Sequence, residues 1–76
     1  MKLPLVSGNK MIKILSMKGF EIARQRSSHV QMKDSEGRLV TIPVHSGRNV
    51  SIGVTLKILR DAEISKEEYI ELSKKS

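Results

Sequence analysis

Asp34-Ser35-Glu36-Gly37-Arg38 constrains this chain most, because it dictates how the runs on either side pair. Upstream, Val30 and Met32 alternate with His29, Gln31 and Lys33. Downstream, Val40, Ile42 and Val44 alternate with Leu39, Thr41 and Pro43. A period of two marks strands with one buried face. Ser35-Glu36-Gly37 fits a three-residue loop, a type I turn closed by a left-handed residue, which glycine supplies without steric cost. That loop sets Asp34 opposite Arg38, Met32 opposite Val40 and Val30 opposite Ile42, so apolar meets apolar at each step. A tighter turn would set Met32 against Leu39 and Val30 against Thr41, a poorer match.

The flanking segments have helical periodicity. Ser7 is placed to cap a first helix, with Val6 and Met11 as a hydrophobic staple. Met11, Ile14, Leu15 and the stem of Lys18 share one face. Gly19 suits a left-handed cap, with Phe20 folding back as its apolar partner. The period then switches to two, and Phe20 and Ile22 open a first strand. Pro43 suits an edge strand or a strand end, since it donates nothing to a ladder. After a loop at His45–Ser51, a second helix is predicted from about Ile52 to Ala62, burying Ile52, Leu56, Leu59 and Ala62. Ser65 and Glu68 form a capping box, and Ile64 with Tyr69 a staple, opening a short third helix. The expected fold is α+β: helix, three-stranded antiparallel sheet, helix and short C-terminal helix, with the helices on one face. No repeat or linker divides residues 1–76, so one domain is expected.

The 76 residues include no cysteine, which removes disulfide scaffolds and cysteine-ligated zinc. The two histidines have no acidic partner at ligand spacing, so no metal and no cofactor are expected. No apolar run approaches the roughly 18 residues of a membrane span, and the N-terminus has no signal pattern, so a cytoplasmic protein with no membrane contact is expected. The net charge is +6 and is unevenly spread. Residues 1–33 hold seven bases and one acid, whereas residues 61–76 hold three bases and five acids. A polyanion would be drawn to the first half. Ser28, Lys10, Lys13, Arg24, Arg26, Lys33 and Arg48 are the candidate contacts to RNA. Phe20 and Tyr69 are the only rings, and both are taken by caps, which argues against a sheet that reads single strands by stacking.

The register also places His29. It points away from Val30 and Met32, across from Pro43, with His45 at the diagonal, roughly 7–8 Å away backbone to backbone. Arg24, Arg26, Lys33, Ser27 and Ser28 are its sequence neighbours. Histidine exchanges protons near neutrality, and RNA carries its own nucleophile, the 2′-OH, so proton transfer beside cations suffices for cleavage. Each residue also has an ordinary use. A strand histidine is most often a solvated surface residue, and arginines on an edge strand discourage aggregation. Nothing supplies an acid to orient His29 in a triad, and no glycine-rich phosphate loop is present.

Taken in order, "LSMKGFEIARQRSSHVQM", "TIPVH" and "GVTLKILRDAEISKEEYIEL" resemble the HicA family of toxin ribonucleases over nearly the whole chain. The resemblance implies a double-stranded-RNA-binding-domain-like fold, mRNA cleavage, and a HicB-type antitoxin partner. It places the catalytic histidine at His29, a serine neighbour at Ser28 and an accessory histidine at His45. The sequence departs from the family at Ser27, where glycine is usual. If that position needs a positive φ, serine there costs about 1 kcal/mol. Outside the nuclease class, the residues also suit a non-catalytic RNA-binding module of the same fold, or a domain whose basic face meets an acidic protein.

Overall fold

The computed structural model describes residues 2–76. Helix α1 (Gly8–Met17) starts where the Ser7 side chain accepts the Lys10 N–H, and Val6 and Met11 are both buried beside that cap. It ends in a complete Schellman turn: Gly19 N–H donates to the Ser16 carbonyl and Phe20 N–H to that of Leu15, with Gly19 at φ +88°. Phe20 is thereby folded into the core. Strands β1 (Glu21–Arg26), β2 (His29–Lys33) and β3 (Leu39–Pro43) follow, then helices α2 (Ile52–Ala62) and α3 (Lys66–Lys75). The sheet is antiparallel in the order β1-β2-β3. This is an α+β arrangement consistent with a double-stranded-RNA-binding-like fold.

The β2–β3 register follows the turn chemistry, with Met32 opposite Val40 and Val30 opposite Ile42. Asp34 N–H donates to the Arg38 carbonyl, Gly37 sits at φ +85°, and one Asp34 carboxylate oxygen accepts the N–H groups of Glu36 and Arg38. Val30, Met32, Val40 and Ile42 meet Met11, Ile14, Leu15, Ile58, Leu59 and Tyr69 in one core, so the helices cover a single face of the sheet. Gly8 is buried where α1 crosses the end of β3. A Cβ there would lie 2.5 Å from the Pro43 carbonyl oxygen, so only glycine permits this approach.

Three apolar positions of the expected strand and helix faces lie outside the core. Ile22 is 53% exposed, in a strand whose six residues are all exposed. In α2, Ile52 and Leu56 are 48% and 41% exposed, and the inward face is Thr55, Ile58, Leu59 and Ala62. Thr55 tolerates burial because its hydroxyl donates to the Ser51 carbonyl, 2.8 Å away. The helix is therefore rotated from the position its aliphatic residues alone suggest.

At the start of α3, the Ser65 hydroxyl accepts the Glu68 N–H as expected, but the Glu68 carboxylate is engaged by Lys18, the C-cap of α1. Half of the capping box forms, and the other half becomes a tie between helices. Tyr69 is fully buried and its hydroxyl donates to the Pro4 carbonyl, 2.6 Å away, which holds the N-terminal segment against the core. No helix among the described residues is long and apolar enough to cross a membrane.

Candidate functional site on the outer face of the sheet

The face of the sheet without helices carries the chemistry, and the β1–β2 ladder decides which side chains reach it. Glu21 pairs with Lys33 and Ile22 with Met32, but the next pairs are Arg24 with Gln31, Gln25 with Val30 and Arg26 with His29. Ala23 is the extra residue of a β-bulge. Had the ladder continued unbroken from Ile22, Arg24 would pair with Val30 and face the helices. The one-residue slip turns Arg24 and Arg26 onto the face of His29 and Gln31.

The turn that closes this hairpin is two residues long, Ser27-Ser28, between the paired Arg26 and His29. Ser27, the first of the two turn residues, is at φ +55°, the left-handed region that favours glycine. A positive φ costs serine about 1 kcal/mol relative to glycine, so this turn holds a strained residue. The Ser28 carbonyl accepts the Val44 N–H at 2.6 Å, tying the turn to the chain leaving β3. Ser28 therefore braces the turn through its backbone.

Arg24, Arg26, Ser27, His29, Gln31 and Thr41 line one hollow of about 430 Å³. Both arginines and His29 are exposed, and neither arginine is in an ion pair among the described residues. This arrangement offers two unpaired guanidinium groups and an imidazole to a phosphate. Among the described residues, no three His, Asp or Glu side chains cluster as metal ligands would.

The other candidates are dispersed. Lys33 is on the same face but four residues along β2 from His29, about 13 Å of strand rise, beside a second depression lined by Glu21 and Ala23. His45 lies beyond the end of β3 and lines a separate hollow with Arg48, Asn49 and Ser51. The paired residues of β2 and β3 end at His29 and Pro43, and one further backbone hydrogen bond joins Val44 to Ser28. Lys10 and Lys13 are on α1, in the helical layer on the opposite side of the sheet. Gln31 and Thr41 carry no chemical signature in the sequence. Their only signal is alternation, which places both on the face of His29.

A second charged cluster is structural. Arg38 pairs with Asp34 at 2.8 Å and Glu36 at 3.2 Å, and its Nε lies 3.0 Å from Glu63 without aligning as a hydrogen bond. Glu63 itself sits at φ 57° as the cap of α2. Burial pushes the Asp34 carboxyl up, but hydrogen bonds from the Arg38 side chain and from the N–H groups of Arg38 and Glu36 hold it below its ordinary value. Hydrogen bonds that the guanidinium donates to Glu63, through Nη2 at 3.4 Å, and to Asp34 raise the Arg38 pKa above its ordinary value. The cluster joins the β2–β3 turn to α2, leaving Arg24 and Arg26 as the guanidinium pair beside His29.

The family model described as HicA toxin of bacterial toxin-antitoxin matches residues 8–64, most of the chain from α1 to the start of α3. A search of curated proteins found no match. The matched span includes all three strands and every residue of the hollow, and the chain belongs to this toxin family.

Proposed function

From that membership, we propose that the chain is the toxin of a type II toxin–antitoxin pair and acts as a metal-independent endoribonuclease on mRNA. His29 is the general acid/base, and Arg24 and Arg26 hold the phosphate. The observation that supports this most is the convergence of His29 and two unpaired arginines in one hollow. A strand alternating only for stability would gain nothing from a bulge that brings like charges onto one face.

The chemistry needs few groups. A neutral His29 accepts the 2′-OH proton as the 2′-oxygen bonds to phosphorus. The imidazolium returns a proton to the 5′-oxygen as the P–O5′ bond breaks, leaving a 2′,3′-cyclic phosphate and a 5′-hydroxyl. Arg24 and Arg26 stabilise the charge that builds on the phosphoryl oxygens. Ser28 fixes the turn, while Lys33, Arg48 and the α1 lysines Lys10 and Lys13 extend the basic surface along a longer RNA. His45, beside Arg48, is an accessory group to the same backbone.

A HicB-type antitoxin would neutralise the toxin by covering His29 with an acidic surface, and the encounter rate would fall with salt. Purified toxin tests the enzymatic reading. His29→Ala is expected to lower the cleavage rate by about 10²–10⁴-fold with RNA affinity little changed, while wild-type cleavage persists in EDTA. Undiminished cleavage by a folded His29→Ala protein would falsify the catalytic role. If wild type binds RNA without cutting it, the non-catalytic binding module is the better account.

A further inference from the structure

His29 and Thr41 line two concavities at once. One is the arginine hollow on the β1 side. The other, about 480 Å³, lies between β3 and α2 and is lined by Leu39, Pro43, Val54, Lys57, Ile58 and Asp61 as well. The two side chains form a ridge between a cationic basin and a largely apolar groove. Leu39 faces this groove while 48% exposed, an aliphatic surface that the core does not use.

We propose that the β3–α2 groove is a nucleobase subsite, which seats the base on one side of the cleaved phosphate and favours bases carrying an exocyclic amine. This rests on the ribonuclease reading above and adds to it the part of the substrate that is read. With a phosphate at His29, Arg24 and Arg26, the adjoining nucleotide on the α2 side meets aliphatic surface, suited to the face of a base. At the groove's edge, Asp61 Oδ2 accepts from Lys57 Nζ at 2.7 Å. Among the described residues Oδ1 has no hydrogen-bond donor, and Arg60 Nε lies 4.0 Å away. The hydrogen bond from Lys57, with both nearby cations, keeps the carboxyl below its ordinary pKa, so it accepts and does not donate. An ionised carboxylate accepts from the amino groups of adenine, cytosine or guanine, whereas the one N–H on uracil's pairing edge lies between two carbonyl oxygens that repel it. The Lys57 charge balances that of Asp61, so the groove does not repel the RNA backbone.

The test is single-turnover cleavage of an RNA containing every dinucleotide step, comparing wild type with Leu39→Ser and Asp61→Asn. Both side chains lie outside the core, and thermal melts verify that the variants fold. Wild type is expected to cut at steps sharing an amine-bearing base on one side of the bond. Leu39→Ser is expected to weaken saturation about tenfold, from the lost apolar contact. Asp61→Asn is expected to cut before or after uracil as readily as at the preferred bases. His29-dependent cleavage with an unchanged spectrum and rate in both variants would overturn the subsite and leave the nuclease intact. The subsite is overturned equally if Leu39→Ser impairs only binding of the antitoxin, which would make the groove a protein interface. Absence of cleavage by wild type would overturn the nuclease reading and the subsite together.

Discussion

The chain builds two hairpins on one central strand, and they are made to different rules. The β2–β3 hairpin alternates without interruption, turns on a glycine at φ +85°, and buries Val30, Met32, Val40 and Ile42. The β1–β2 hairpin breaks its alternation with a bulge at Ala23, turns on a serine at φ +55°, and leaves every residue of β1 exposed. The first satisfies packing at each inward position. The second gives up local regularity to bring Arg24, Arg26 and His29 to one face. A small protein tolerates such departures only where little core depends on them, and the fully exposed β1 is that place.

The largest expected contrast is in stability. Ile42→Ala, fully buried in β3, should cost about 2–5 kcal/mol, whereas Ile22→Ala in β1 should stay within about 0.5 kcal/mol; chemical denaturation of the two variants measures both. Similar losses would show that β1 shares the core. The two turns give a smaller contrast of opposite sign. Gly37→Ala meets no atom within 4 Å, so its loss of about 1 kcal/mol would be conformational alone. Ser27→Gly should instead gain about 0.5–1 kcal/mol by relieving the left-handed serine, less the extra entropy of unfolded glycine.

Binding sharpens the same contrast. Replacing Arg24 and Arg26 by alanine should flatten the salt dependence of RNA binding by a slope of about 1.4, from roughly 0.7 per lost phosphate contact on a single strand. Replacing Lys10 and Lys13, on the helical side, should change it less. Acid titration is the finest probe. Asp34 is held below its ordinary pKa, so its contribution is present above the unfolded value, near pH 4, and is lost as pH falls through the folded value. The difference in melting temperature between wild type and Asp34→Asn should therefore be full at neutral pH and shrink below about pH 4.

What is legible in the sequence divides along the same line. Ser7, Gly19, Gly37 and Ser65 announce caps and a turn through local chemistry, and the register from Val30 to Ile42 follows from one loop length. The face of α2 is not legible from its aliphatic residues, because Thr55 buries a hydroxyl satisfied by its own helix while Ile52 and Leu56 stay outside. The hollow is only half legible. Alternation places His29, and proximity in sequence suggests its arginines, but the bulge that brings them together leaves no mark in an exposed strand of mixed composition. Gln31 and Thr41 lack any signal beyond their parity. His45 follows two residues after Pro43, the last paired residue of β3, so alternation within the strand does not place it.

The central claim is that placement of the arginines, rather than charge alone, makes the site. It is tested most directly by exchanging two neighbours, Arg24→Gln with Gln25→Arg. Composition and net charge are unchanged, both positions are exposed, and one arginine moves from the face of His29 to the face paired with Val30. Single-turnover cleavage of an mRNA substrate by this double variant should fall about a hundredfold, the scale of losing one preorganised donor to a developing oxyanion, with the melting temperature essentially unchanged. Cleavage at the wild-type rate would contradict the account.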